Sequence, residues 1–222
     1  GVKVEGYATH LLGELQRDSE YMRLRELPDF VSTKVWDGAL MLRERLLALE
    51  RWPSWAGKSV LELGAGVGLV GLALAAEGAN VVVTDAGEAM PVLADNVQSN
   101  AVVVDARGGR VDAVELNWLW PEERQRSVLD GAAGAHETAR AGAFDIAVGA
   151  DIVYEHDCCR PLMLTAMRFS SELFLLQNVG RAGSDLFLRI AAEMGLSVHR
   201  EHVTGKYELW HFVQPDGQCS PR

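Results

Sequence analysis

A glycine-rich turn and two carboxylates form the most chemically informative pattern in this chain. The segment Val60–Gly68 runs from an apolar stretch into three closely spaced glycines, and it contains Glu62. Further along, a second apolar run, Val81–Thr84, ends at Asp85. Glycines let a backbone approach a ligand closely, and a carboxylate can accept hydrogen bonds from ribose hydroxyls. The pattern therefore predicts a nucleotide-type cofactor site at the carboxyl ends of parallel strands.

The glycine spacing and the position of Glu62 indicate which cofactor this is. Gly64-x-Gly66-x-Gly68 differs from the G-x-G-x-x-G spacing that binds a pyrophosphate, and no P-loop Gly-Lys-Ser/Thr follows. A carboxylate at Glu62 would repel a diphosphate but suits a ligand with positive charge. A cofactor with an amino group, a sulfonium and a ribose fits these charges, so we expect S-adenosylmethionine, with S-adenosylhomocysteine as product. A plain strand-to-helix turn or a different nucleotide fold is the alternative.

Aromatic side chains flank the predicted pocket at two further places. Trp36 precedes the core and is placed to cover the methionine end of the cofactor, or else to pack in an apolar flank. Asn117 and Trp118 follow the third predicted strand, where an indole can lie against adenine; a strand-end aromatic anchor is the alternative. The residues expected to contact the cofactor are Trp36, Glu62, Gly64, Gly66, Gly68, Asp85, Ala86, Asn117, Trp118 and Ala150.

Asp151 and Tyr154 follow the fourth predicted strand, where an open α/β sheet presents its reacting substrate. They would face one pocket if the chain turns helical there. Methyl transfer by in-line SN2 displacement needs an unprotonated nucleophile, and a lysine amine of pKa about 10.4 must first lose a proton. Asp151 would steer the ammonium and Tyr154 would supply a hydrogen bond or ring face, which makes them the candidate catalytic residues. A helix-capping aspartate and a packed tyrosine are the alternative.

Two other groups of polar side chains are less informative. Asn96, in the helix after the second strand, is placed to brace the glycine-rich turn. His156, Cys158 and Cys159 lie close together, but no complementary ligand set follows at zinc-finger spacing. We therefore predict no metal site.

Alternating apolar runs and helical patterns predict an α/β fold with a mostly parallel sheet. The expected strands are Ser59–Leu63, Asn80–Thr84, Arg110–Leu116, Phe144–Gly149, Glu172–Gln177, Ser197–Val203 and Glu208–Val213. Only three residues separate the last two strands, which permits an antiparallel hairpin but not a parallel crossover. The expected helices are Gly38–Leu49, Gly68–Glu77, Gly87–Asn100, Arg160–Phe169 and Asp185–Gly195. The segment Glu122–Gly142, which is rich in small residues, is predicted to be a mobile surface loop.

The length and composition are those of one globular domain. The chain has 222 residues, of which 48% are hydrophobic and 23% charged. We expect a single methyltransferase domain over residues 1–222, in which 1–57 form an N-terminal flank packed on the core, 58–214 a Rossmann-like core and 215–222 a tail. Because the chain begins at glycine and not at methionine, the sequence does not decide whether an N-terminal extension precedes it.

The charge and the cysteines bear on partners and compartment. A net charge of −10 disfavours nucleic acid, whose affinity comes mainly from cationic contacts to phosphate. It mildly favours a basic partner or substrate, with solubility alone as the alternative explanation of the charge. No apolar stretch approaches the roughly 20 residues of a membrane span, so no membrane partner is expected. Three cysteines do not make a disulfide framework, which favours the cytoplasm, with the nucleus as the alternative. The oligomeric state is not predicted.

The assembled motifs resemble methyltransferase family 16, a group of class I S-adenosylmethionine-dependent enzymes that includes many protein lysine methyltransferases. The resemblance covers about residues 33–213 and is carried by Val35-Trp36-Asp37, the Leu61–Gly71 loop, Thr84-Asp85, Asn96, Leu116-Asn117-Trp118 and Ala150–Tyr154. It implies a seven-stranded Rossmann-like sheet with a C-terminal antiparallel hairpin and helices on both faces. Many members have Leu-Asp-Trp where this chain has Asn117 before the tryptophan, and an amide oxygen can still accept from the adenine amino group.

The resemblance also implies roles for individual residues. Glu62, Gly64 and Gly66 would contact the methionine side of the cofactor, Asp85 the ribose and Trp118 the adenine. Asp151 and Tyr154 would shape the lysine-binding end.

The leading hypothesis is therefore N-methylation of a lysine side chain of an intracellular protein. A small-molecule N-methyltransferase on the same fold is the alternative, and it would need a closed apolar pocket above Asp151. A non-catalytic interaction module ranks third.

Overall fold

The computed structural model describes residues 7–8, 24–26, 34–133 and 144–215. A short antiparallel pair, β1 (Tyr7–Ala8) and β2 (Leu24–Arg25), lies outside the main sheet. The main sheet contains β3 (Ser59–Leu63), β4 (Asn80–Asp85), β5 (Arg110–Glu115), β6 (Ile146–Ala150), β7 (Glu172–Asn178), β8 (Ser197–His202) and β9 (Tyr207–Val213). The helices are α1 (Asp37–Leu47), α2 (Leu69–Ala75), α3 (Met90–Ala106), α4 (Glu122–Ala133), α5 (His156–Phe169) and α6 (Ser184–Glu193).

The seven strands are ordered β5-β4-β3-β6-β7-β9-β8. Strands β3 to β7 pair in parallel, and β9 runs antiparallel to both of its neighbours. This confirms the predicted α/β class, the mostly parallel sheet and the C-terminal hairpin. The order reverses between β3 and β6, so the carboxyl ends of these central strands form a crevice, where ligands bind in open α/β sheets.

The central strands are buried because helices cover both faces of the sheet. Every residue of β3 is buried, which explains its nearly continuous apolar sequence. On one face, Leu42 of α1 and Leu72 of α2 are fully buried in the core. On the other face, Phe169 of α5 and Phe187 of α6 are fully buried as well. No helix in the described ranges is long and apolar enough to cross a bilayer.

The prediction of a surface loop over Glu122–Gly142 was wrong for its first half. Residues 122–133 form α4, which buries Leu129 and Gln125 against the sheet and α5. The small residues that follow Asp130 obscured the helical signal of the preceding turns. Residues 134–143 lie outside the described part of the chain.

Several predicted helix ends also shift. Helix α5 begins at His156, four residues before the predicted start, although it contains Pro161. Helix α3 continues six residues past the predicted end, to Ala106. Both differences reflect weak local end signals: tertiary packing extends each helix beyond them.

Candidate active site

A cavity of about 570 Å³ lies at the carboxyl ends of β3, β4 and β6. Its volume falls within the range typical of small-molecule and cofactor sites. Most of the residues predicted from the sequence line it, namely Trp36, Glu62, Gly64, Gly66, Asp85, Trp118, Ala150, Asp151 and Tyr154. Gly68, Ala86 and Asn117 are not among the lining residues. The sequence motifs therefore converge on one cavity.

The glycine-rich turn between β3 and α2 has a backbone that favours glycine. Gly64, Gly66 and Gly68 have φ values of +62°, +57° and +83°, which side chains rarely permit. A Cβ atom on Gly64 would lie 2.6 Å from the Ile152 side chain. One on Gly68 would lie 2.8 Å from Leu93, so this glycine serves the packing of α2 and not the cavity wall.

Glu62 is a buried carboxyl group at the base of the cavity. Its Oε2 accepts a hydrogen bond of 2.7 Å from the Gly71 backbone N–H. Burial raises the pKa of Glu62 to about 8, the Gly71 hydrogen bond opposes this rise, and the charge of Asp85 adds to it. Glu62 is therefore mostly protonated near neutral pH, and a cation in the cavity would favour its ionised form.

Asp85 connects the end of β4 to the glycine-rich turn. Its two carboxylate oxygens accept hydrogen bonds of 2.7 Å from the backbone N–H groups of Gly66 and Ala86. Burial raises the pKa of Asp85, and both hydrogen bonds oppose the rise. The same side chain thus holds the turn and faces the cavity. Ala86 contributes through its N–H group rather than by lining the cavity.

Asn96 braces the turn from α3, as the sequence predicted. Its side-chain amide donates to the Val67 carbonyl at 2.9 Å, and its Oδ1 accepts from the Arg25 backbone N–H at 2.7 Å. Asn96 is fully buried. It therefore ties the loop to both α3 and the short strand β2.

Trp36 and Tyr154 form an open aromatic rim around the cavity. Trp36 immediately precedes α1 and is 42% exposed, and Tyr154 is 52% exposed. Desolvation and the nearby Glu155 raise the pKa of Tyr154, which keeps its hydroxyl protonated at neutral pH.

Trp118 also lines the cavity. Its indole Nε1 is buried and has no hydrogen-bond partner within the described residues. An unpartnered donor beside a cavity is an observation that a polar ligand would explain. The preceding Asn117 uses its Oδ1 to accept from the Leu119 N–H at 2.9 Å, so it shapes the turn after β5.

Gln125 of α4 fixes the turn that carries Trp118. Its Nε2 donates to the carbonyls of Trp118 and Trp120 at 3.0 and 2.8 Å. Its Oε1 accepts from Thr165 at 3.1 Å and from Arg168 at 2.9 Å. These four bonds use the full hydrogen-bonding capacity of a buried amide.

We expect Gln125→Ala to lower the free energy of unfolding by about 2 kcal/mol, because it leaves buried carbonyl and hydroxyl groups without partners. Urea unfolding followed by circular dichroism measures this change. Gln98, an exposed residue of α3, provides the matched control: Gln98→Ala should change stability by less than about 0.5 kcal/mol. Equal stability losses in the two variants would contradict the role of Gln125.

Asp151 directly follows β6 and has an unusual backbone conformation. Its φ is +55°, in the left-handed region, and its backbone N–H donates to the Leu176 carbonyl at 2.7 Å. Residues 151–155 are not helical, and α5 begins only at His156, so the helical turn that would have brought Asp151 and Tyr154 to one pocket is absent. Asp151 and Tyr154 nevertheless line the same cavity, because the left-handed residue turns the chain.

Three charged residues of the cavity were not predicted from the sequence. Lys34, Glu88 and Arg181 all line it. Arg181 forms an ion pair with Asp151, with Nη2 at 2.8 Å from Oδ2. Its position between two glycines just after β7, at the same sheet edge, was the signal that could have identified it.

A profile described as lysine methyltransferase matches residues 17–175 of this chain. Over 138 residues, 62% of this chain and 50% of the relative, the sequence is 33% identical to EEF1A lysine methyltransferase 3 of Mus musculus. Over 147 residues, 64% of this chain and 56% of the relative, it is 35% identical to protein N-lysine methyltransferase METTL21A of Danio rerio. The chain thus spans about half the length of these relatives.

Solved structures share the fold at lower sequence identity. Magnesium protoporphyrin IX methyltransferase from Synechocystis with bound SAM aligns with a TM-score of 0.56 and 14% identity, over 82% of this chain and 86% of that one. The T. thermophilus 16S rRNA methyltransferase RsmC aligns with a TM-score of 0.56 and 24% identity, over 88% of this chain and 48% of that one. Because these two proteins act on a porphyrin and an RNA, the shared fold does not identify a methyl acceptor.

Proposed function

Because this chain belongs to the lysine methyltransferase family, we propose that it transfers a methyl group from S-adenosylmethionine to a lysine side chain of a protein. The observation that carries the proposal is the convergence of Glu62, Asp85 and Asp151 on one cavity, beside the glycine-rich turn. The carboxyl groups of these three residues suit a ligand with cationic and hydroxyl groups and a cationic acceptor.

The residues of the cavity fit S-adenosylmethionine, which supplies an electrophilic methyl group on a sulfonium. Glu62 would pair with a positive charge of the ligand, because its raised pKa makes ionisation dependent on a nearby cation. Asp85 would accept from ribose hydroxyls through the lone pairs that Gly66 and Ala86 leave free. Trp118 would flank the adenine with its ring.

The acceptor end of the cavity favours a lysine presented by a protein. Trp36 and Tyr154 leave the rim open to solvent, whereas a small-molecule methyltransferase would need an enclosed apolar pocket above Asp151. Asp151 would attract and orient the ammonium, and Tyr154 would supply a hydrogen bond or a ring face. The chain's contribution to catalysis is then mainly positioning and desolvation of the amine.

Two measurements test the proposal. Calorimetry should detect binding of S-adenosylmethionine and S-adenosylhomocysteine to the full chain. Incubation with a radiolabelled methyl donor and a cell lysate, followed by mass spectrometry of the labelled band, should identify a methylated lysine. Absence of cofactor binding overturns the whole proposal, and label on a small molecule or a nucleic acid overturns the acceptor class.

The affinity for S-adenosylmethionine is expected to rise with pH. Since the pKa of Glu62 is about 8 in the free protein, a bound cation that favours its ionised form releases a proton below that pH. The affinity should then rise by up to about tenfold per pH unit below pH 8 and level off above it. Calorimetry between pH 6 and 9 measures the slope. The isosteric variant Glu62→Gln should lose it, and an identical slope in this variant would contradict the assignment.

We propose that residues 1–222 act as one domain, with the flank 1–57 packed on the core 58–214. The contacts of α1 with the sheet support this arrangement, since Leu42 and Leu46 are fully buried in the core. We propose an intracellular protein as substrate and the cytoplasm or nucleus as compartment, because Cys158 and Cys159 are both free thiols.

A further inference from the structure

The carboxylate of Asp151 is held in the cavity wall. Its left-handed backbone is anchored by a hydrogen bond to the Leu176 carbonyl of β7, and only 5% of its side chain is exposed. The Asn178 backbone N–H adds a long hydrogen bond of 3.4 Å to Oδ1. A buried carboxylate in this position requires a compensating cation.

Arg181 provides that cation from the neighbouring segment. Its Nη2 donates to Oδ2 at 2.8 Å and its Nε donates to Oδ1 at 3.3 Å, which makes a two-point contact. The hydrogen bond to Asp151 is the largest cause of the raised pKa of Arg181. Both partners line the same cavity, at the end where the acceptor would enter.

The two partners differ in their freedom to move. Asp151 is buried and fixed by its backbone, whereas 41% of the Arg181 side chain is exposed. Arg181 also lies between Gly180 and Gly183 in the connection from β7 to α6, and its side chain projects from no helix or strand. The guanidinium can therefore leave the carboxylate and remain hydrated, but the carboxylate cannot follow it into water.

We infer that Arg181 is an internal counter-cation that occupies the ammonium position at Asp151 until an alkylammonium group replaces it. The inference rests on the proposed function only in taking a lysine side chain as that alkylammonium group. In the free protein the guanidinium compensates the buried carboxylate. An incoming ammonium must replace the guanidinium. The measured affinity for the acceptor is therefore the intrinsic affinity multiplied by the fraction of protein in which the Arg181–Asp151 ion pair is open.

Binding of n-propylammonium chloride to the full chain, followed by NMR titration, tests this exchange. In Arg181→Gln we expect the affinity to rise about tenfold, because no internal cation competes for Asp151. The gain should disappear when Asp151→Asn is added. The matched control is Arg160→Gln, which removes an exposed ion pair with Glu193 on α5 and α6, away from the cavity wall; it should bind like the wild type.

A second variant keeps the test decisive if Arg181→Gln does not fold. Arg181→Lys retains the charge but loses the two-point contact, so its affinity for n-propylammonium should lie between those of the wild type and Arg181→Gln. Unchanged or weaker binding in the folded variants would overturn the inference and make the guanidinium a permanent part of the wall. The titration does not depend on methyl transfer or on cofactor binding. It therefore tests the role of Arg181 even if the proposed function is wrong.

Discussion

Asp151→Asn is expected to reduce methyl transfer at least about 100-fold while changing the affinity for S-adenosylmethionine less than about threefold. The carboxylate lines the cavity at the end where we propose that the acceptor enters, and its loss removes the charge that is proposed to attract and orient the amine. Asparagine is the best replacement because it tolerates the left-handed backbone of this position better than alanine does. The substitution thus removes charge with little added strain.

Single-turnover assays and calorimetry on the same preparation separate the two effects. Asp157→Asn is the matched control, because Asp157 is an exposed acid on the first turn of α5. It should retain wild-type turnover. Full activity in Asp151→Asn would remove Asp151 from the mechanism, and a parallel loss of cofactor affinity would assign it to cofactor binding instead.

Asp85→Ala is expected to weaken the binding of S-adenosylmethionine about 100-fold. The change removes the proposed hydrogen-bond acceptor for the ribose and also the two hydrogen bonds that hold the glycine-rich turn. Hydrogen bonds to charged groups contribute about 1.5–3 kcal/mol each, which is enough for this effect even after partial compensation by water.

The affinity for S-adenosylhomocysteine should fall by the same factor, because both ligands carry the ribose. Calorimetry on both ligands measures this, and Asp105→Ala, at an exposed position of α3, is the control. A variant that binds both ligands like the wild type would show that neither the Asp85 carboxylate nor its two hydrogen bonds to the turn contribute to binding.

The sheet and the cavity residues on the proposed cofactor side were predictable because their signals are local. Each central strand is an apolar run between turn residues, and the glycines mark backbone angles that other residues avoid. Glu62 lies near the end of β3, just before the turn, and Asp85 is the last residue of β4. Because these two strands are parallel neighbours, both residues come to the same edge of the sheet.

The proposed acceptor side was harder to predict because it depends on contacts between distant segments. Arg181 meets Asp151 only because β6 and β7 are neighbours, and a lone arginine in a glycine-rich loop carries no local signature. Gln125 was missed for a related reason. Its segment was predicted to be a loop, and a polar side chain gives no sign in the sequence that its amide will be buried against two carbonyls.

The antiparallel strand β9 has a consequence for biosynthesis. It lies between β7 and β8, yet it is the last of the seven strands to leave the ribosome. Until Tyr207–Val213 emerges, β7 presents an unpaired edge and β8 has no partner in the sheet. The sheet is therefore complete only after nearly all of the described chain has been translated. A nascent chain stalled before that point would expose a strand edge that chaperones must protect from aggregation.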